Sequence, residues 1–415
     1  MHLLLQKIYL STEVQKFMFK KIGPGVFIAA AFVGPGTLTV CTVAGVKFGF
    51  ALLWTLLIST IATIVLQEMS GRVGMVSQTG LVEAVRSSIQ IKWIRTLLVF
   101  LVLMGILLGN AAYEAGNIGG AVLGISGIIN NETVTTWSPW LVGVIAFALL
   151  WFGNYRFLER VFVVLVALMG LCFIITAIIT KPNLLDWLSG AFTFSSPEGS
   201  IWTILGLVGT TVVPYNLFLH ASLVSEKWSS KSNHKAMRWD TIISIGLGGL
   251  VSMAIITAAA ATPLNEVNGV MDMAIGLEPL LGSWARLVMA LGLLAAGITS
   301  AITAPLAASY VAQSCFGWEK NTKGKKFRMV WMLVLATGVV FLSIGVEPVW
   351  VIQIAQVANA ALLPLMAILL LWTVNQKQIM AEHKNSRFQN VFGFLIVGFA
   401  LFLGIKSFLD VFSLI

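Results

Sequence analysis

The sequence predicts an all-α integral membrane protein with about 11 transmembrane helices. One reason is composition: 58% of the residues are hydrophobic and only 10% are charged, whereas a soluble globular chain carries about 25% charged residues. A second reason is a series of apolar runs, each close to the roughly 20 residues that cross a bilayer. A third is a Gly/Pro interruption in the middle of two of these runs. These observations exclude an ordinary soluble domain.

The apolar runs define the candidate spans and their orientation. They fall at residues 24–47, 50–70, 96–125, 138–153, 160–180, 201–225, 241–262, 284–313, 329–345, 349–373 and 391–410. If the N-terminus is cytoplasmic, the segments on that side hold 22 of the 26 Lys and Arg residues, as the positive-inside rule requires. The net charge of +9 is therefore a topology signal and not a sign of nucleic-acid binding. We expect a plasma (inner) membrane protein, bacterial in origin, with the N-terminus cytoplasmic and the C-terminus outside.

The two interrupted spans, the first and the sixth, indicate how the chain is divided. Their separation predicts two five-helix repeats of inverted topology followed by one extra helix. We expect a single transmembrane domain over residues 1–415, with a cytoplasmic N-terminus at 1–22. The first repeat covers 23–180, the second covers 201–373, and the extra helix covers 391–410.

The interruptions themselves are the candidate substrate site. A spanning helix satisfies its backbone groups internally, and a Gly-Pro-Gly run breaks that pattern. Such a break is tolerated at mid-membrane depth where it faces protein or a water-filled cavity, and paired breaks mark the substrate site of many transporters. A packing kink is the alternative interpretation. The candidate substrate-binding residues are Gly34, Pro35, Gly36, Thr37, Thr210, Val213, Tyr215 and Asn216.

Other polar residues within the spans are candidates for coupling or support, because polar groups in a membrane need a partner or a function. Glu114 and His220 are candidate proton or coupling-ion groups, although His220 is equally consistent with a hydrogen-bonded core histidine. Glu68 is four residues before Arg72, which predicts a helix ion pair. The candidate supporting residues, which inter-helix hydrogen bonds would also explain, are Asn110, Asn117, Thr299, Gln356 and Asn359.

With these residues set out, the chain resembles the NRAMP family of proton-coupled divalent-metal transporters. Gly34-Pro35-Gly36-Thr37 stands where that family has Asp-Pro-Gly-Asn. The segment from Gly209 to His220 is similar to the family's Gly-Ala-Thr-Val-Met-Pro-His-Asn-Leu-Tyr-Leu-His, and Ile298 to Pro305 looks most like its magnesium-transporting branch. The resemblance covers nearly the whole chain. It implies a LeuT-type fold with broken helices 1 and 6, coupling to protons, and no cofactor.

The departures from the family pattern concern the metal ligands. The resemblance places Gly34, Thr37, Val213 and the carbonyl of Thr210 where the family holds its metal with Asp, Asn, Met and a backbone carbonyl. A divalent cation stripped of water usually needs at least one carboxylate, and valine cannot donate electrons to a metal. The metal ligands of this chain are therefore unknown, and the site is expected to be rebuilt.

Several functions stay open at this point. The favoured one is an alternating-access transporter of a small polar or anionic solute, because half-helix N-termini bind anionic groups. The alternatives are a carrier of largely hydrated Mg²⁺ or Mn²⁺ and a non-transporting membrane sensor or scaffold. No nucleophile–base pair or phosphate loop indicates an enzyme. The expected partners are the lipid bilayer, a small solute or inorganic ion, and protons, with no nucleic acid.

Overall fold

The structure is a computed structural model that describes residues 23–25, 33–129, 131–152, 156–228, 234–319 and 321–411. For residues 156–160 and 407–411 only the helical backbone is described. Within these residues every regular element is a helix and there is no strand. Ten helical segments are long and apolar enough to cross a membrane. The all-α fold and the predicted spans from the second onward are confirmed. Residues 26–32 of the first predicted span lie outside the described residues.

We number the α-helices in chain order, leaving the two short 3₁₀ turns unnumbered. The long helices are α1 (Pro35–Phe48), α2 (Leu53–Ser77), α4 (Lys92–Ile128), α5 (Glu132–Phe152), α6 (Arg156–Ile179), α8 (Ile201–Thr211), α9 (Pro214–Lys227), α10 (His234–Ala260), α13 (Ala285–Phe316), α14 (Lys325–Ser343), α15 (Pro348–Val374) and α17 (Arg387–Val411). The short connecting helices are α3 (Leu81–Ser88), α7 (Leu184–Phe192), α11 (Val270–Ile275), α12 (Glu278–Leu281) and α16 (Lys377–Met380).

The sixth span is broken as predicted. Helix α8 ends at Thr211, Val213 is extended with φ −78° and ψ 117°, and α9 begins at Pro214. For the first span, the structure describes the break and the residues that follow it. Gly34 is extended with φ −111° and ψ −168°, and α1 begins at Pro35. Both second halves thus begin with proline, which lacks an N–H and has the φ angle of a helix.

The broken sixth span lies at the centre of the bundle. In its most apolar window 89% of the residues are buried, against 28%, 28% and 22% for α5, α6 and α17. The last three helices therefore present most of their apolar surface outward, as lipid-facing helices do. The long helices α4 and α13 pack closely beside the centre, since a Cβ at Gly124 would lie 2.6 Å from the Ala290 carbonyl oxygen. Small residues permit such close approach.

Candidate functional site

The two breaks meet through a pair of hydroxyl groups. Thr37 is in the first turn of α1 and Thr210 is near the end of α8, and their Oγ1 atoms are 2.8 Å apart. Both side chains are fully buried. The hydrogen bond therefore joins the start of one half-helix to the end of the other, at the place where neither helix has continuous backbone hydrogen bonding.

A glutamine from α15 fills the space beside both breaks. The Gln356 side-chain amide occupies the position that a Cβ at Gly36 would take, and its backbone carbonyl does the same at Gly209. Glycine is required at these two positions by the close approach of α15. Gln356 is 2% exposed, so the third wall of the central site is an amide buried between the half-helices.

Several polar atoms around these breaks lack hydrogen-bond partners among the described residues. They are Oδ1 of Asn216, Oε1 of Gln356 and Nδ2 of Asn359. All three side chains are 2% exposed or less. Buried amide groups are rarely left without a partner, because each then loses the hydrogen bonds that water provided. The cluster therefore has spare donors and acceptors that a ligand or water molecules can use.

Glu114 lies beside the start of α9. The rings of Tyr113 and Tyr215 pack edge to face with centroids 5.6 Å apart, and the Glu114 carboxylate interacts electrostatically with both. Glu114 Oε2 accepts a hydrogen bond of 3.2 Å from Asn117 Nδ2, while Oε1 has no hydrogen-bond partner within the described part of the chain. Glu114 also packs against α14, where a Cβ at Gly338 would be 2.7 Å from Glu114 Cγ.

Comparison with known proteins places this geometry in a family. The sequence profile of the natural resistance-associated macrophage protein-like (Nramp) family matches residues 25–410. The chain belongs to the Nramp family. It is 27% identical to the divalent metal cation transporter MntH of Klebsiella pneumoniae, over 98% of this chain and 97% of that protein. It is 24% identical to the MntH of Caldanaerobacter subterraneus, over 96% and 94%.

Solved structures show the same fold. A crystal structure of the Eremococcus coleocola manganese transporter matches with a TM-score of 0.77 at 20% identity, covering 95% of this chain and 87% of that one. MhsT in complex with L-phenylalanine matches with a TM-score of 0.60 at 16% identity, covering 93% and 97%. The predicted LeuT-type fold is confirmed. As a member of the Nramp family the chain is an integral membrane transporter and not an enzyme.

At the positions where the sequence resemblance predicts the metal ligands, the side chains are neutral. Gly34 carries no side chain and Val213 presents a buried hydrocarbon with 1% exposure. Within the described ranges no group of three or more His, Cys, Asp or Glu side chains converges as a metal site would. The oxygen atoms near the breaks that could bind a metal ion are those of the Thr37 hydroxyl, the Thr210 carbonyl and the side-chain amides of Asn216 and Gln356.

The other predicted residues lie farther from the breaks. Asn110 Nδ2 donates to the Ala304 carbonyl at 2.8 Å and so ties α4 to α13. Thr299 donates back to its own helix, at Ala295, with a distance of 2.9 Å. His220 packs against α2, with Cε1 3.2 Å from the position of a Cβ at Gly71. The contacts of Asn110 and Thr299 are those of packing residues. Both ring nitrogens of His220 are buried and lack a hydrogen-bond partner among the described residues, so its proton-coupling role stays a prediction.

The sequence reasoning missed two sets of residues. The expected pair of Arg72 with Glu68 is present at 3.0 Å, but Arg238 also lies 3.2 Å from Glu68 and His234 lies 3.6 Å from it. Asp240 Oδ2 accepts a hydrogen bond of 2.7 Å from the Gly25 N–H. The start of α10 thus ties α2 to the beginning of the first span. The charged residues before the predicted 241–262 span were the available signal.

Proposed function

We propose that this protein is a secondary transporter that moves a small polar or anionic solute through the site between the two breaks. The observation that carries the proposal is the neutral, incompletely hydrogen-bonded set of side chains around Thr37 and Thr210. An organic solute with several hydrogen-bonding groups matches such a set. A dehydrated divalent cation does not, because protein sites for such cations usually include at least one carboxylate among the oxygen ligands.

Two helix N-termini add a preference for negative charge. Helices α1 and α9 have Gly34 and Val213 as N-caps, neither of which makes a side-chain capping hydrogen bond. Neither helix has an acidic residue in its first turn. Each N-terminus carries about half a positive charge, and unpaired N–H groups there bind carboxylates and phosphates. In the family pattern an aspartate at position 34 would oppose such an anion, and Gly34 removes that opposition.

Glu114 supplies the proposed coupling group. A charged carboxylate in a membrane interior is unfavourable without a cation or a full set of donors, and Glu114 has one described donor, Asn117. Protonation relieves that penalty, so the residue is suited to take up and release a proton during transport. His220 is the second candidate for the proton-coupling group, and it lies on α9, the helix that begins at the break in the sixth span. The inverted repeats 23–180 and 201–373 would then alternate around the site, with the N-terminus in the cytoplasm.

The second candidate function is transport of a divalent cation. It is favoured by the similarity to divalent metal cation transporters, which extends over nearly the full length of this chain. The cation would keep most of its water, as Mg²⁺ readily does. Its remaining contacts would be the Thr210 carbonyl, the Thr37 hydroxyl and the free amide oxygens of Asn216 and Gln356.

Metal influx into proteoliposomes separates the two functions. The parent protein is compared with a variant carrying Gly34→Asp, Thr37→Asn and Val213→Met, which restores the family's side chains. We expect no saturable Mn²⁺ or Mg²⁺ influx through the parent, and Mn²⁺ influx through the variant. Saturable influx through the parent would overturn the small-solute proposal and establish the second candidate.

A further inference from the structure

A cluster of charged side chains at one end of the bundle ties α2 to the start of α10. This Glu68 cluster consists of Glu68, Arg72, His234 and Arg238. Glu68 Oε2 accepts a hydrogen bond of 3.0 Å from Arg72, and its Oε1 lies 3.2 Å from Arg238 and 3.6 Å from His234. Glu68 and Arg72 are buried, so water and salt screen their charges only weakly.

Arg72 extends the cluster to the segment between α16 and α17. Its Nη1 donates to the His383 carbonyl at 2.9 Å, and its Nη2 donates to Asn385 Oδ1 at 2.6 Å. Asn385 Nδ2 donates in turn to Asn390 Oδ1 at 3.0 Å, and Asn390 exchanges hydrogen bonds with Asn375, the residue after α15. A continuous network thus fastens α2 and α10 to α15 and α17 through one buried arginine.

Two histidine rings lie close together beside this network. His234 is on α10 and His383 follows α16, and their ring centroids are 6.5 Å apart. Their side chains are 31% and 29% exposed, so both rings are open to protonation from solution. Histidine is the side chain that changes its charge between pH 5 and pH 8. The charge of the network therefore depends on pH in the physiological range.

Positive charge already exceeds negative charge when both histidines are neutral. One buried carboxylate, that of Glu68, compensates two guanidinium groups, and each of its oxygens has an arginine beside it. Protonation of His234 and His383 places four cations around this single buried anion. Like charges held this closely repel one another. Movement of α10 away from the segment between α16 and α17 relieves the repulsion.

Other charged or titratable groups on the surrounding elements do not reverse this balance. Within the described residues at this end they are His220, Glu226, Lys227, Lys235, Asp240, Lys377, Glu382, Lys384 and Arg387. Asp240 is occupied by the Gly25 N–H and interacts with Lys227. Glu382 lies 4.0 Å from His383 but is 86% exposed, so water screens it. His220 is buried and interacts electrostatically with Glu68, which makes it the rival pH-sensitive group.

We propose that the Glu68 cluster and His383 form a proton-sensitive clamp at the end of the bundle predicted to face the cytoplasm. While both rings are neutral, the network holds α2 and α10 against the segment between α16 and α17. When both rings take up a proton, the clamp opens and these helix ends separate. Alternating access requires groups of helices to move relative to one another, so the clamp makes that movement depend on pH. The inference is independent of which solute is carried.

A distance measurement by double electron–electron resonance tests the clamp. Nitroxide labels are attached through Ala236→Cys on α10 and Gln378→Cys on α16, both exposed positions, in full-length protein in nanodiscs. The native Cys41, Cys172 and Cys315 are replaced by alanine. We expect one short distance at about pH 8 and a second, longer one at about pH 5.5, with at least about a fivefold rise in the long-distance population. No change with pH would overturn the clamp.

Histidine variants assign the response. His234→Gln/His383→Gln cannot take up the two protons and should keep the short distance at both pH values. His234→Arg/His383→Arg carries the charges permanently and should show the long distance at both, which also decides the matter if the glutamine variant does not fold. His220→Gln and the exposed-charge control Glu382→Gln should respond as the parent does. A response that persists in the double glutamine variant, or that disappears in His220→Gln, would overturn the assignment to this pair.

Discussion

The Glu68 cluster and the central site both bury polar groups, but they satisfy them differently. Glu68 lies within 3.6 Å of Arg72, Arg238 and His234, so its charge is compensated on several sides, although its Oε1 atom makes no hydrogen bond among the described residues. In the central site Glu114 has one described donor, and the amides of Asn216 and Gln356 keep free oxygens. Breaking such a buried pair leaves an uncompensated charge, so the cluster disfavours arrangements in which its helices separate. A site with unpaired polar atoms, such as the central site, can still form hydrogen bonds with a ligand.

The largest expected effect comes from removing the charge of Glu68. Glu68→Gln leaves Arg72, whose side chain is 4% exposed, as a buried cation without a carboxylate partner, although its guanidinium still donates to the His383 carbonyl and to Asn385 Oδ1. We expect the free energy of unfolding to fall by about 3 kcal/mol or more, measured by SDS-induced unfolding in mixed micelles. Glu278→Gln, on an exposed glutamate, is the control and should change it by less than about 0.5 kcal/mol. Equal changes in the two variants would remove the contrast between the regions.

We expect the stability of the central site to depend on close packing, whereas that of the Glu68 cluster depends on charge. Gly209→Ala places a methyl group against the Gln356 backbone carbonyl, which cannot move without shifting α15. We expect a loss of about 2 kcal/mol in the free energy of unfolding. Gly36→Ala should lose less, because it meets the movable Gln356 side chain.

Gly246→Ala in α10 is the matched control for these glycine variants, because nothing lies within 4 Å of its added Cβ. It should stabilise the protein by about 0.5–1 kcal/mol, since alanine favours the helix. A Gly209→Ala variant as stable as Gly246→Ala would show that α15 is not held against the break.

A finer contrast lies within the Glu68 cluster. The Arg238 side chain is 46% exposed, so water screens its pair with Glu68. We expect Arg238→Gln to lower the free energy of unfolding by no more than about 1 kcal/mol, and Arg72→Gln to lower it by more. A double-mutant cycle with Glu68→Gln measures both couplings. A larger coupling for Arg238 than for Arg72 would contradict the role of burial.

The smallest expected effect on stability comes from Glu114→Gln. The glutamine keeps an oxygen for the Asn117 amide and carries no charge, so the free energy of unfolding should change by less than about 1 kcal/mol. Solute uptake into proteoliposomes by this variant should no longer increase when a pH gradient is imposed. Uptake that keeps its full response to the gradient would exclude Glu114 as the coupling group.

Much of the fold could be predicted because the membrane imposes it. Hydropathy marks apolar segments, and the Gly/Pro runs mark breaks, so the spans and the broken sixth helix followed from local sequence. The helix ends did not: α10 begins at His234, before the predicted 241, because its first two turns are charged. Hydropathy detects the apolar part of a helix and not its polar ends.

Contacts between distant segments were beyond the reach of sequence reasoning. The Glu68–Arg72 pair was predictable because both residues share one helix face. The approach of Arg238 to Glu68, and of Gln356 to Gly36 and Gly209, depends on how five helices pack together. A cleft lined by Lys47, Glu266 and Glu347 was missed for the same reason, since these residues come from separate parts of the chain.

The most direct test of the central claim compares two single variants of Gly34. Uptake of labelled small carboxylates is measured in proteoliposomes containing the parent, Gly34→Asp or Gly34→Asn. The two side chains are nearly equal in size and differ in charge. If the site binds the negative group of a solute at the helix N-termini, the parent transports, Gly34→Asn keeps measurable uptake and Gly34→Asp loses it. Equal uptake by the two variants, or no uptake by the parent while it carries Mn²⁺, would contradict the account.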